Sequence, residues 1–99
     1  MVKYLRFKTA NGDRVLNANA CDLVVLFDVN TIHASTVPYV TATEEWNIQR
    51  DGVNGIDFDG ALVDIINDAI IRAERTSYTQ VFIDVPIPSK YALGDIVSA

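Results

Sequence analysis

The chain has 99 residues, 49% of them hydrophobic, with thirteen acids against eight bases and a net charge of −5. That length makes one domain, residues 1–99, and a domain of this size buries only about 60–68% of its unfolded surface, so its core is adequate but not generous. The acidic balance disfavours nonspecific attraction to nucleic acid, the single cysteine, Cys21, excludes an intramolecular disulfide and a cysteine-based metal site, and no apolar run approaches the roughly eighteen residues of a membrane span.

From the start, residues 3–20 read as a β-hairpin. Asn11-Gly12 is the strongest short turn signal, because a type I′ turn needs positive φ at both central positions. A two-residue loop there pairs Ala10 with Asp13, hence Phe7 with Leu16 and Leu5 with Ala18. Leu5, Phe7, Leu16 and Ala18 then share one face, and Tyr4, Arg6 and Lys8 share the other. Asn17, Asn19 and Asp22 predict that the second strand is short or bent near Cys21. Leu23-Val24-Val25-Leu26-Phe27 is a near-continuous apolar run, which predicts a central strand buried on both faces. Asp28-Val29-Asn30 is a turn. Residues 31–37 have strand composition, Pro38 predicts a bend or an edge, and 39–43 continue as strand. Residues 44–49 fit two patterns: a single helical turn capped by Thr43, or a strand in which Trp46 and Ile48 alternate. Residues 51–55 are a loop.

The one long helix is predicted over about 57–75. Phe58, Ala61, Leu62, Ile65, Ile66, Ala69, Ile70 and Ala73 recur at helical spacing and make one apolar stripe. Asp57 is the expected N-cap, and Arg72 and Arg75 suit the negative end of the helix dipole. Residues 80–85 are a strand with Val81, Ile83 and Val85 on one face, stopped by Pro86 and Pro88. Residues 91–97 are a last edge strand or an arm. The order of elements predicts an α+β, mainly β domain: a strongly bent antiparallel sheet or a small barrel of about five strands, with the long helix late in the chain.

Four constellations bear on chemistry. Tyr4, Arg6 and Lys8, with Arg14 near the turn, interleave bases with an aromatic ring, a pattern that neutralises phosphates and stacks a base. The plain alternative is a solvated strand face whose cations blunt an edge. The opening fourteen residues carry +3 and the other eighty-five carry −8. His33, the only histidine, reads as structural, and nothing near Cys21 resembles an activated thiol. Asp57, Asp59, Asp64 and Asp68 crowd the helix and its entry. They are the right chemistry for a hard cation, but capping and a solvated face, with Asp68 pairing Arg72, account for them better. Val63 and Ile71 lie off the main stripe, where a second apolar patch marks either a subunit contact or a helix buried on two sides. No metal, cofactor or catalytic residue is assigned.

Lys3-Tyr4-Leu5-Arg6-Phe7, residues 17–27, Ala69-Ile70-Ile71-Arg72-Ala73 and Thr76-Ser77-Tyr78-Thr79-Gln80-Val81 together resemble a family of small proteins from marine metagenomes and cyanophages. That family is similar to the Sm-like fold, a short bent barrel that assembles into rings and binds RNA. The resemblance implies a noncatalytic binder of RNA or single-stranded DNA, a homo-oligomeric ring of phage origin, working in the cytoplasm of an infected cell. Tyr4, Arg6, Lys8 and Arg14 are its candidate contacts. The chain departs from the Sm-like pattern in two ways. Its helix follows the first strands rather than preceding them, and Arg72 is followed by Ala73 where the second Sm motif has Arg-Gly. The contact residues of Sm-like proteins are therefore not carried over, and fold likeness alone does not fix function. The rival expectation is a phage structural or assembly protein with no nucleic-acid affinity. The first residues lack the apolar core of a secretory signal, so neither reading expects one.

Overall fold

The N-terminal hairpin forms as β1 (Tyr4–Thr9) antiparallel to β2 (Gly12–Asn17). The structure, a computed structural model, describes residues 3–18, 23–35, 45–52, 54–75 and 81–98. Leu5, Phe7, Leu16 and Ala18 are all buried, as the alternation predicts. Their register is two residues from the expected one, with Leu5 opposite Leu16 and Phe7 opposite Arg14. An even shift keeps the same set of side chains inside, because the strand period is two. The turn explains the shift. Ala10 and Asn11 occupy its centre without positive φ, and Gly12 takes the positive value, 98°. The Thr9 hydroxyl braces it, accepting the Asn11 N–H at 3.2 Å and donating to the Gly12 carbonyl at 2.6 Å. The left-handed position thus falls on the one residue without a Cβ to resist it.

β3 (Leu23–Asp28), β4 (Thr31–Ser35), β5 (Glu45–Arg50) and β7 (Leu93–Ser98) form a four-stranded antiparallel sheet in the order β3-β4-β5-β7. Val24, Ile32, Ala34 and Ile48 line its inner face. Residues 44–49 resolve as strand from Glu45 on, and Ile48 is buried with Trp46 packed against the core. The run at 23–27 is not a central strand. β3 is an edge, and Val25, Leu26 and Phe27 are exposed. A continuous apolar run resembles a central strand covered on both faces, but a central strand needs neighbours on both edges, and among the described residues β3 has one. The expected bend near Cys21 and the strand past residue 35 with Pro38 lie outside the described residues.

The long helix, α1, spans Gly60–Arg75. It starts three residues later than expected because Asp59, not Asp57, is the cap. Asp59 Oδ1 accepts the Leu62 N–H at 3.1 Å and the Tyr91 hydroxyl at 2.6 Å. Asp57 instead pairs with Arg50 at 3.2 Å. Arg50 also donates to Asn30 Oδ1 at 3.0 Å and to the Gly55 carbonyl at 2.9 Å, so one guanidinium ties two loops together. Gly55 has φ 79°, and a Cβ there would meet the Ala92 nitrogen at 2.5 Å, so the close approach of these loops requires glycine.

After the helix, β6 (Phe82–Asp84) pairs parallel with β1, giving a three-stranded sheet in the order β2-β1-β6. This pair departs from the all-antiparallel expectation. A parallel neighbour needs a long crossover, and α1 with the second sheet supplies it. Ile83 and Val85 are buried, with Phe82 and Asp84 outside. Leu62, Ile66, Ala69, Ile70 and Ala73 bury the helix stripe against β3, β1 and β6. The Asn67 side chain clamps the β3 edge, accepting the Val24 N–H at 2.9 Å and donating to the Val24 carbonyl at 3.2 Å. Arg72 reaches the other sheet and donates to the Asp84 carbonyl at 3.2 Å.

The class is therefore α+β and mainly β, with one long helix late in the chain. The described strands number seven rather than about five, in two sheets that do not close into a barrel. The C-terminal strand pairs with β5 of its own chain. No described helix is long and apolar enough to cross a membrane.

Two isoleucines on α1 test this packing. Ile66 is fully buried, and Ile66→Ala is expected to cost about 2–5 kcal/mol of unfolding free energy. Ile71 is 47% exposed, and Ile71→Ala is expected to stay within about 0.5 kcal/mol of the parent. Urea titration of both variants reads the difference as a shift in midpoint at unchanged slope.

Candidate functional site

The outer face of the three-stranded sheet gathers three of the four candidate residues. Strand pairing sets them in rows. Asn17, Tyr4 and Phe82 form the first, Val15, Arg6 and Asp84 the second, and Asp13 with Lys8 the third. Tyr4 and Phe82 stack with ring centroids 5.7 Å apart and planes at 28°. The Arg6 guanidinium lies 5.3 Å from the Phe82 ring centroid. Two partly exposed rings stacked on each other, with a cation against one of them, make an aromatic cluster on the outer face of the sheet.

The charges on this face are balanced. Arg6 Nε donates to Asp84 Oδ1 at 2.6 Å and Nη2 to Oδ2 at 3.1 Å, a two-point grip on one carboxylate. The Asp84 carboxylate raises the Arg6 pKa, and Arg6 in turn holds the Asp84 carboxyl below its ordinary range. Both side chains are well exposed, so the pair orients Arg6 more than it stabilises the fold. Lys8 stands opposite Asp13. Beside these residues lies an open depression of about 640 Å³, lined by Arg6, Lys8, Asp13 and Asp84 with an apolar side of Val85, Pro86 and Ile87. Two cations and two carboxylates leave it without net charge.

Arg14 is not part of this surface. Its strand partner is the buried Phe7, so it points to the opposite pleat face, where its Nε meets Asp95 Oδ1 at 3.0 Å. Asn11 donates to the other Asp95 oxygen at 3.2 Å, and the Ala10 N–H donates to the Leu93 carbonyl at 2.9 Å. These contacts dock the hairpin turn onto β7. Phe82 and Asp84 join the site without having been singled out in the sequence. The alternation across 81–85 puts both on the face opposite Val81, Ile83 and Val85, but nothing local says that β1 is their neighbour.

The other constellations take structural places. His33 Nδ1 lies 3.0 Å from Asn47 Oδ1, a pair across adjacent strands. Asp57 pairs with Arg50, Asp59 caps α1, and Asp64 and Asp68 are exposed on the helix. Among the described residues, no group of three or more His, Cys, Asp or Glu is placed to hold a metal ion. Cys21 lies outside the described residues. The chain matches no protein-family profile, no curated protein and no solved structure.

Among the described residues, three carboxylates hold their protons less tightly than usual. Asp59 is lowered by the Tyr91 hydroxyl and then the Leu62 N–H, Asp84 by Arg6, and Asp95 by the Ile96 N–H, Asn11 and Arg14. Asp59 and some burial raise the Tyr91 pKa in return. A depressed folded pKa adds stability that is fully present above the ordinary carboxylate value of about 3.9 and is lost as pH falls through the lower folded value. Melting temperature is therefore expected to hold from neutrality down to about pH 5 and to fall below about pH 4. Asp59→Asn is expected to melt lower at neutral pH and to lose less on acidification, as thermal melts across that range would read.

Proposed function

We propose that this chain is a noncatalytic binder of single-stranded nucleic acid, RNA or DNA, and that the outer face of β2-β1-β6 is its contact surface. The observation that carries the reading is the Tyr4–Phe82 stack with Arg6 against it and Lys8 next along the strand. Exposed rings stack bases without regard to sequence, at about 1–3 kcal/mol per base. Lys8, and Arg6 once turned from Asp84, neutralise phosphates along the depression. Asp13 and Asp84 offset those two cations, so the electrostatic share is small and stacking dominates. The homo-oligomeric ring implied by the Sm-like resemblance would repeat this surface and add avidity. Phage origin and a host-cell cytoplasmic setting belong to the same proposal.

The charge balance on this face favours a second reading, a structural or assembly protein without nucleic-acid affinity. Fluorescence anisotropy with labelled poly(U) and poly(dT), at low and at physiological salt, separates the two. Binding that weakens with salt is expected, and Tyr4→Ala or Phe82→Ala should each weaken it about 5- to 150-fold, the equivalent of one lost stack. Arg6→Glu combined with Lys8→Glu should abolish it. Asp84→Asn frees Arg6, so it should tighten binding and steepen the salt dependence by about 0.7 on a log–log plot. If neither the parent nor Asp84→Asn binds at low salt, the assembly reading stands alone.

A further inference from the structure

The depression on the outer face of β2-β1-β6 holds a carboxylate with no task so far. Its polar side is Arg6, Lys8, Asp13 and Asp84, and its apolar side is Val85, Pro86 and Ile87. Both Asp84 oxygens are taken by Arg6, so Asp84 orients that guanidinium. Asp13 does nothing comparable. Among the described residues no side chain donates to its carboxylate, and Arg14 reaches its main-chain carbonyl at 3.2 Å instead. Asp13 is exposed near the start of β2, across from Lys8. A carboxylate beside a phosphate path weakens binding by repulsion. A face that binds a polyanion and still carries one gains only if that carboxylate reads something a cation does not.

The depression also has room for a base. The Val85 N–H donates to the Arg6 carbonyl at 3.0 Å, so the chain leaving β6 still flanks β1 on the side away from β2. Asp13 and this segment stand two strand spacings apart, about 10 Å. The volume of about 640 Å³ falls within the range of about 300–1,000 Å³ common to small-ligand sites.

We propose that this depression takes a guanine base of a single strand, with the Asp13 carboxylate accepting from the guanine N1–H and 2-amino group and Lys8 on the adjoining phosphate. The inference rests on the nucleic-acid reading of this face and deepens it. An ionised carboxylate accepts hydrogen bonds and donates none. Guanine alone among the standard bases sets two N–H donors side by side on its Watson–Crick edge, and in a single strand that edge is unpaired. Adenine and cytosine offer an amino donor next to a ring-nitrogen acceptor, and uracil and thymine place one N–H between two carbonyl oxygens. Each of these meets Asp13 with one donor and a repelling lone pair beside it. Pro86 and Ile87 give the base apolar surface. The Tyr4–Phe82 stack lies four residues along β1 from Lys8, about 13 Å, so it serves another nucleotide of the same strand. Asp13 is open to water, so the preference falls at the low end of what a two-point base contact gives.

Fluorescence anisotropy at low salt tests it, with a labelled oligouridylate and the same oligomer carrying one central guanosine, adenosine or inosine. A single guanosine avoids the self-association of guanine-rich strands. The guanosine oligomer should bind about 5-fold tighter than the adenosine oligomer, which stacks alike but lacks the paired donors. Inosine keeps N1–H and loses the 2-amino group, so it should give up about half of that gain on a logarithmic scale. This comparison needs no change in the protein. Asp13→Ala should cancel the guanosine advantage while tightening the plain oligouridylate, because one repelling charge is gone. A carboxylate that is only a solvated charge predicts instead an equal gain for every oligomer. That equal gain overturns the proposal, and so does a parent that binds the guanosine and adenosine oligomers alike; in both cases nucleic-acid binding itself stands. If no oligomer binds at low salt, the two readings fall together.

Discussion

A sheet edge leaves N–H and C=O groups that need partners, and a helix with an apolar stripe needs a surface. In this fold one element meets both needs. Helix α1 lies between β6 of one sheet and β3 of the other and buries Leu62, Ile66, Ala69, Ile70 and Ala73 between them. From its flanks Asn67 satisfies both main-chain groups of Val24, and Arg72 reaches the Asp84 carbonyl. A side-chain amide has one donor and one acceptor at the spacing a neighbouring strand would offer, so Asn67 stands in for a strand at one residue. The start of the helix is fixed in turn by Asp59, which joins the cap to the Tyr91 hydroxyl ahead of β7.

The opposite seam is closed by polar contacts. β7 meets the β1–β2 turn through the Ala10 N–H, and Asp95 takes both Asn11 and Arg14. The two seams differ in chemistry because they differ in supply. The helix brings a broad apolar stripe, whereas the hairpin end brings a main-chain N–H from Ala10 and the polar side chains of Asn11 and Arg14.

Folding also redistributes charge. The basic opening of the chain meets acids from its far end, with Arg6 on Asp84 and Arg14 on Asp95. Two carboxylates thus meet a segment that carries +3 in sequence, and its outer face, where Arg6 and Lys8 stand with Asp13 and Asp84, is neutral in space. What remains on the outer face of β1 is aromatic and orienting, with Arg6 held by the Asp84 carboxylate against the Phe82 ring. Stacking thus sets the character of this face, and its cations stand beside carboxylates.

Local periodicity was enough to find the elements. The hairpin and its buried face, the strand at 31–35, the helix stripe and the alternation through 81–85 all depend on neighbours a few residues apart. Tyr4, Arg6 and Lys8 were legible as one face for the same reason. Pairing is not local, so the sequence could not place Phe82 beside Tyr4 or leave the apolar run at 23–27 on an edge, whereas Arg14, two residues before Leu16, falls on the Leu16 face by alternation alone. The hairpin register shows the boundary between the two kinds of information. Period-two alternation determined which residues are buried, while the geometry of the turn at Gly12, available only in three dimensions, decided which of them face each other.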